Sequence, residues 1–288
     1  MDSNIIRLYD EYTHKPLSRK DFITKMIQLT GSITTAMSMI SLLENNNEKA
    51  ITPLELAGLY TENLEWPTDN GSMRGYLARP EKENKYPGVI IIHENRGLNE
   101  HIKDVARRAA LAGFVALAPD GLSSLGGTPA DADEARSLFS KLDAQQNTKN
   151  FVSAVDFLKS RSDCTGEIGC VGFCWGGAMS NQLAIHAKNL KAAVAFYGKQ
   201  PAKEDVIKIA CPIQLHYAEK DERINVGMAD YEAELKAQQK NYEQYMYPGV
   251  DHAFHNNSSE ARYNKDAAVL AWDRTLTFLK KYCDADQK

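Results

Sequence analysis

The chain has 288 residues, 43% hydrophobic and 25% charged, with a formal net charge of −4. This is an ordinary globular composition, which excludes a disordered or fibrous chain, and the acidic balance excludes the basic stripe that a nucleic-acid partner needs. No run reaches the about eighteen unbroken apolar residues of a membrane span, and the five cysteines, without CxxC pairs or His-rich spacing, exclude a disulfide scaffold and a metal motif.

The N-terminal stretch LSRKDFITKMIQLTGSITTAMSMISLLENNN resembles a twin-arginine export signal with one arginine replaced by lysine. Thr30, Ser32, Thr34, Thr35, Ser38 and Ser41 dilute its apolar region, and no A-x-A-like cleavage site follows. The expectation is therefore an amphipathic helix docked on the main domain, and a cytoplasmic chain with reduced thiols. Periplasmic export by a degenerate signal is the alternative. Residues 1–58 are assigned to this helical extension and 59–288 to one larger domain.

From Leu64 the pattern turns to strands. LEWPTDNGSMRGYLARP holds two strand-like runs around Asp69-Asn70-Gly71, a hairpin signal. Val89 to Ile92 are continuously β-branched, as a strand buried on both faces requires. NEHIKDVARRAALAGF spaces Ile102, Val105, Ala106, Ala109 and Ala110 at helical intervals and stops at Gly113, and VALAPDG resumes as strand. Two helices, PADADEARSLFSKL and NTKNFVSAVDFLKSR, precede the strand EIGCVGF. Strands KAAVAFYG, CPIQLHYAEKD and YEQYMYPGVDH follow, with helices between and AAVLAWDRTLTFLKKYC at the end. Strands alternating with helices over this length predict an α/β fold, a mostly parallel sheet covered on both faces, with functional residues beyond the carboxyl ends of its strands.

Gly172-Phe173-Cys174-Trp175-Gly176-Gly177 has the small-x-nucleophile-x-small form of a nucleophile elbow. Its glycines leave room for a strained turn, and the following helix aims free N–H groups at the sulfur. A nucleophile needs a base, and a base needs an orienter. Asp221 ends one strand and His252 follows the last, in the order nucleophile, acid, histidine that this fold uses. The backbone N–H groups of Trp175 and Asn95 are the expected oxyanion donors. Acyl transfer is the chemistry such a set serves, with no cofactor.

Taken together, G-x-C-x-G-G, HENRG after the third strand, APDG after the next, Asp221 and GVDHAF resemble the dienelactone hydrolase family of α/β-hydrolases, from about Leu59 onward. The resemblance implies the α/β-hydrolase fold and a Cys-His-Asp triad at Cys174, His252 and Asp221. It also implies a glutamate, here Glu94, that interacts with the resting cysteine and takes part in forming the thiolate. Asn256 stands where family members that cleave dienelactone carry a carboxylate-binding arginine, and the APDGLSSLGGTP loop has no arginine either. Small esters or lactones are thus the expected partners, and the dienelactone itself is left open.

Arg96 and Arg223, beside the two active-site loops, are candidate receivers of an anionic substrate group, and Tyr197 a candidate pocket residue. His93, His101, His186, His216 and His255 have no comparable context, and His216, inside an apolar strand, is expected to be a hydrogen-bonded core residue. A weakly catalytic binding or redox-sensing protein with a reactive Cys174 is the alternative function. The oligomeric state is left open, a homodimer among the options.

Overall fold

In a computed structural model, residues 2–44, 51–52 and 58–284 are described. The asparagine run that closes the signal-like stretch, Asn45 to Asn47, lies outside these residues.

The core is one sheet of eight strands. These are β1 (Leu59–Thr68), β2 (Gly71–Pro80), β3 (Tyr86–Ile92), β4 (Val115–Pro119), β5 (Cys164–Phe173), β6 (Leu190–Phe196), β7 (Ile213–Ala218) and β8 (Tyr242–Tyr247). Their spatial order is β1-β2-β4-β3-β5-β6-β7-β8. β1 and β2 form the antiparallel hairpin and β2 also runs antiparallel to β4, whereas every pairing from β4 to β8 is parallel. The hairpin loop is Asp69-Asn70, and Gly71, with φ +133°, absorbs the left-handed turn the Asn-Gly signal anticipates.

Period-two alternation sends the apolar residues of the central strands to two separate cores. Ile90 and Ile92 of β3 pack with Leu117, Phe151, Leu158 and Leu183 on one face, beneath α6 (Ala144–Ser160) and α7 (Trp175–His186). Val89 and Ile91 pack with Val105, Val171, Phe196 and Phe278 on the other, beneath α4 (Glu100–Leu111) and α10 (Lys265–Cys283). Burial of both faces explains the unbroken apolar runs. α5 (Ala132–Phe139), α8 (Glu222–Asn225) and α9 (Met228–Ala237) complete the layers.

Ahead of the sheet stand three helices where the sequence predicts one: α1 (Ser3–His14), α2 (Arg19–Thr30) and α3 (Ile33–Glu44). Asp2 caps α1 by accepting from Asn4 N–H, and Ser18 caps α2 by accepting from Asp21 N–H. The single predicted helix fails at Gly31, which adopts φ +74° and ends α2, so that α3 departs at 116°. Among the described residues no single helix is long and apolar enough to cross a membrane; α2 and α3 pass that test only as a bent pair. The three helices share a core of their own, in which Tyr12 stacks on Phe22 with ring centroids 4.2 Å apart.

Candidate active site

Cys174 sits between β5 and α7 with φ 56° and ψ −111°, a backbone conformation that costs energy for any L side chain. The turn is tight enough to dictate its neighbours. A Cβ at Gly172 would lie 1.9 Å from the carbonyl oxygen of Gly176, and one at Gly176 would lie 2.4 Å from that of Ile92. Cys174 N–H donates to the carbonyl of Phe196, 3.0 Å away, which ties the elbow to β6. Trp175 opens α7, so its N–H belongs to the first turn, where helix donors lack internal partners.

His252 follows β8 and Asp221 follows β7, as the order along the chain predicts. Asp221 Oδ2 accepts from His252 Nδ1 at 2.5 Å, while its Oδ1 accepts the Ile224 N–H that opens α8. The pair is almost fully buried. Because Nδ1 carries the proton to Asp221, Nε2 is the basic nitrogen. It faces the site and is buried without a hydrogen-bond partner among the described residues. Positive φ values recur around it, at Tyr197 (37°) and Ala253 (65°), so three strained residues border one site.

Glu94 lies two residues past β3 and borders the same space. Its carboxylate accepts from Asn256 Nδ2 at 2.7 Å and from Tyr197 Oη at 3.4 Å. Burial, then the Glu94 charge, pushes the Tyr197 phenol well above its usual range, so it serves as a donor. The arginine-to-asparagine departure thus has a structural counterpart, since Asn256 satisfies Glu94. The thiol is engaged elsewhere: the neighbour of Cys174 Sγ is His14 of α1, with Nε2 3.0 Å away.

His14 was not singled out from the sequence. Its Nδ1 contacts Asp10 Oδ1 at 3.1 Å and the Asp10 carbonyl at 2.8 Å, one helical turn back. Asp10 in turn accepts from Arg223 Nε at 3.0 Å. Burial alone raises the Asp10 carboxyl, but His252, His14 and Arg223 outweigh it and hold the group well below the ordinary carboxylate range. Burial likewise lowers His14, and the Cys174 sulfur and Asp10 outweigh it, lifting the imidazole to about 9. A signal was present, as Asp10 and His14 at i, i+4 share one helix face.

The same helix contacts both arginines expected to receive an anionic substrate group. Arg96 donates to Tyr9 Oη and Arg223 to Asp10, so each is occupied by α1. Asn95, whose backbone N–H is the expected oxyanion donor, donates through its side chain to the Thr13 carbonyl at 2.7 Å, and Arg136 donates to the Tyr12 carbonyl. These contacts pin the end of α1 over the elbow.

Two spaces flank the sulfur. One is a cavity of about 20 Å³ bordered by Glu94, Asn256 and Leu43. The other is an open cleft of about 640 Å³, in which Phe139, Trp175, Ala178, Tyr197, Lys199 and Ile224 lead from solvent to Cys174. The remaining histidines are framework. His93 Nε2 accepts Gly121 N–H and its ring stacks on Trp175, while His101 bonds Asn257. His216 bonds Tyr247 and Gln214, as expected of a core residue, and burial pushes it down to about 3.

The ligand-capable atoms of His14, Cys174 and His252 lie within 4.8 Å of one another, a donor set that suits a soft cation. Tetrahedral zinc would hold a nitrogen and a sulfur about 3.5 Å apart. The 3.0 Å contact between His14 and Cys174 is that of a hydrogen-bonded pair.

Residues 73–283 match the family model described as "Dienelactone hydrolase family". The chain is 31% identical to "Putative carboxymethylenebutenolidase" of Saccharolobus solfataricus, over 75% of this chain and 96% of that one. It is 33% identical to "Probable 2-oxo-3-(5-oxofuran-2-ylidene)propanoate lactonase" of a Bradyrhizobium species, over 74% and 91%. The crystal structure of "Putative Dienelactone Hydrolase" from Klebsiella pneumoniae superimposes with a TM-score of 0.71 at 28% identity, covering 78% of this chain and 99% of that one. On this evidence the chain belongs to the dienelactone hydrolase family, with the α/β-hydrolase fold and a hydrolase's action on ester or lactone bonds.

Proposed function

We propose that the protein hydrolyses small esters or lactones through a Cys174–His252–Asp221 triad and a thioester acyl-enzyme. The observation that carries this reading is the strained Cys174 at a helix N-terminus, with the Asp221-oriented imidazole of His252 beside it. The sulfur attacks the carbonyl carbon of a substrate seated in the cleft. Charge develops on the carbonyl oxygen, and the N–H groups of Trp175 and of Asn95, from the loop after β3, are its proposed donors. Collapse of the tetrahedral intermediate expels the alcohol, which in a lactone stays attached to the acyl chain. His252 then takes a proton from water, hydroxide attacks the thioester, and as the carbon–sulfur bond breaks the sulfur recovers a proton from His252.

Glu94, held by Asn256 and Tyr197, borders the small cavity beside Cys174 and gives the closed end of the site an acidic lining. That lining favours neutral substrates at the closed end and leaves any anionic group for the open cleft, near exposed Lys199.

The test is Cys174→Ala assayed with p-nitrophenyl acetate, together with mass spectrometry of the wild-type enzyme quenched during turnover. The expected result is loss of at least about 10³-fold in kcat in the variant, and one acetyl group on the Cys174 peptide of the wild type. Full activity in the variant overturns the reading, as does a single burst of product without steady turnover.

A further inference from the structure

We infer that His14, delivered by α1, is a second catalytic histidine that exchanges protons with Cys174 and the leaving group, so that the N-terminal helix completes the active site. The inference rests on the reading of Cys174 as the nucleophile.

Three observations carry it. The first is contact: of the two imidazoles at the elbow, His14 is the one within hydrogen-bond distance of the sulfur, at 3.0 Å, while His252 Nε2 has no partner among the described residues. The second is orientation. His14 Nδ1 faces Asp10, meeting its carbonyl at 2.8 Å with the half-buried carboxylate 3.1 Å away, as His252 Nδ1 faces the buried Asp221, so each ring presents Nε2 to the site. The rings meet edge to face, centroids 4.9 Å apart, with Arg223 lying against both dyads. The third is rigidity, since a group that must sit within a fraction of an ångström of a reacting atom needs a fixed mount. Hydrogen bonds from Asn95 to Thr13, from Arg136 to Tyr12 and from Arg96 to Tyr9 provide one.

Two dyads divide the two half-reactions. At rest the proton of the Cys174–His14 pair sits on the His14 imidazole, and in acylation the sulfur attacks the carbonyl. When the carbon–oxygen bond breaks, the departing alkoxide takes that proton and leaves as alcohol, and His14 is left neutral. In deacylation water gives a proton to His252 Nε2 and its hydroxide to the thioester carbon. The released sulfur then takes the proton from His252 and hands it to His14, which restores the resting pair and the neutral His252. The sum is ester plus water giving acid plus alcohol.

The experiment compares wild type, His14→Gln and His14→Ala on two acetate esters, p-nitrophenyl acetate and ethyl acetate. Nitrophenolate departs without a proton, whereas ethoxide needs one in the transition state. The inference expects His14→Gln to lose about 10²-fold or more in kcat/KM on ethyl acetate and about tenfold or less on p-nitrophenyl acetate. It also expects added imidazole to restore turnover of ethyl acetate by His14→Ala without raising that of wild type. Equal losses on the two esters with no imidazole rescue would assign His14 a packing role and overturn the inference, as would wild-type rates on both. Thermal melting of each variant shows whether the fold is retained, and imidazole rescue keeps the outcome decisive if α1 is loosened. Cys174→Ala separates the two readings. If it turns over both esters, the nucleophile is wrong; if it is inactive and His14→Gln is not selectively impaired, the second histidine alone is wrong.

Discussion

At the scale of single residues, the proposed triad depends on how few atoms hold Nε2 of His252 in place. Asp221 accepts its Nδ1 proton at 2.5 Å and fixes the tautomer, so Asp221→Asn would offer an amide that can donate to that nitrogen and turn the other one into the N–H. We expect kcat for p-nitrophenyl acetate to fall about 10²-fold or more in Asp221→Asn, with KM nearly unchanged, because geometry survives while basicity at Nε2 does not. A loss confined to KM would place Asp221 outside the chemistry. Cys174, Asp221 and His252 were legible in the sequence because each follows a recognisable strand and the elbow carries its own glycines. His14 was not, since no residue near it marks a loop or strand end, and its partner is 160 positions away. For Arg96 and Arg223, proximity to the active-site loops is visible in the sequence, but their contacts with α1 are not.

At the scale of elements, strands and helices from β1 onward follow directly from the periodicity, because two-sided burial and Gly, Asp or Asn punctuation mark each one. The N-terminal helices are different. Their apolar residues form a small separate core, and one helix was expected where Gly31 and the turn after His14 make three. α1 is held by specific polar contacts as well as by packing. Arg136 donates to the Tyr12 carbonyl and lies over its ring at 3.9 Å, a cation–π contact on a largely buried phenol. Arg136→Ala removes both. We expect limited trypsin digestion of Arg136→Ala to cut before Leu59 several times faster than in wild type, with the melting temperature of the remaining domain within a few degrees. Unchanged digestion would show that packing alone secures α1.

At the scale of the whole molecule, several histidines are buried as neutral rings. Burial lowers His93, His101 and His255, and takes His216 to about 3. Such rings protonate near their ordinary value of about 6.5 once the chain unfolds. Below that pH the unfolded chain binds more protons than the native one, so stability falls as the solution is acidified and is unaffected by these groups above about pH 7. For His216 alone the loss between pH 7 and 5.5 is about 1 kcal/mol. Urea unfolding at both pH values should show a smaller drop for His216→Gln than for wild type by that amount, and an equal drop would mean the ring takes up its proton as readily in the native core as in the unfolded chain. The position of α1 bears on maturation as well. A leader peptide is discarded by signal peptidase once its passenger has crossed the bilayer. Here any cut between residues 15 and 58 would carry Asp10 and His14 away with the discarded fragment and leave Arg223 and the sulfur without their neighbours. A chain that works in this arrangement must therefore keep its first helix, and N-terminal sequencing of the active enzyme from its native cell would read through Asp10 and His14.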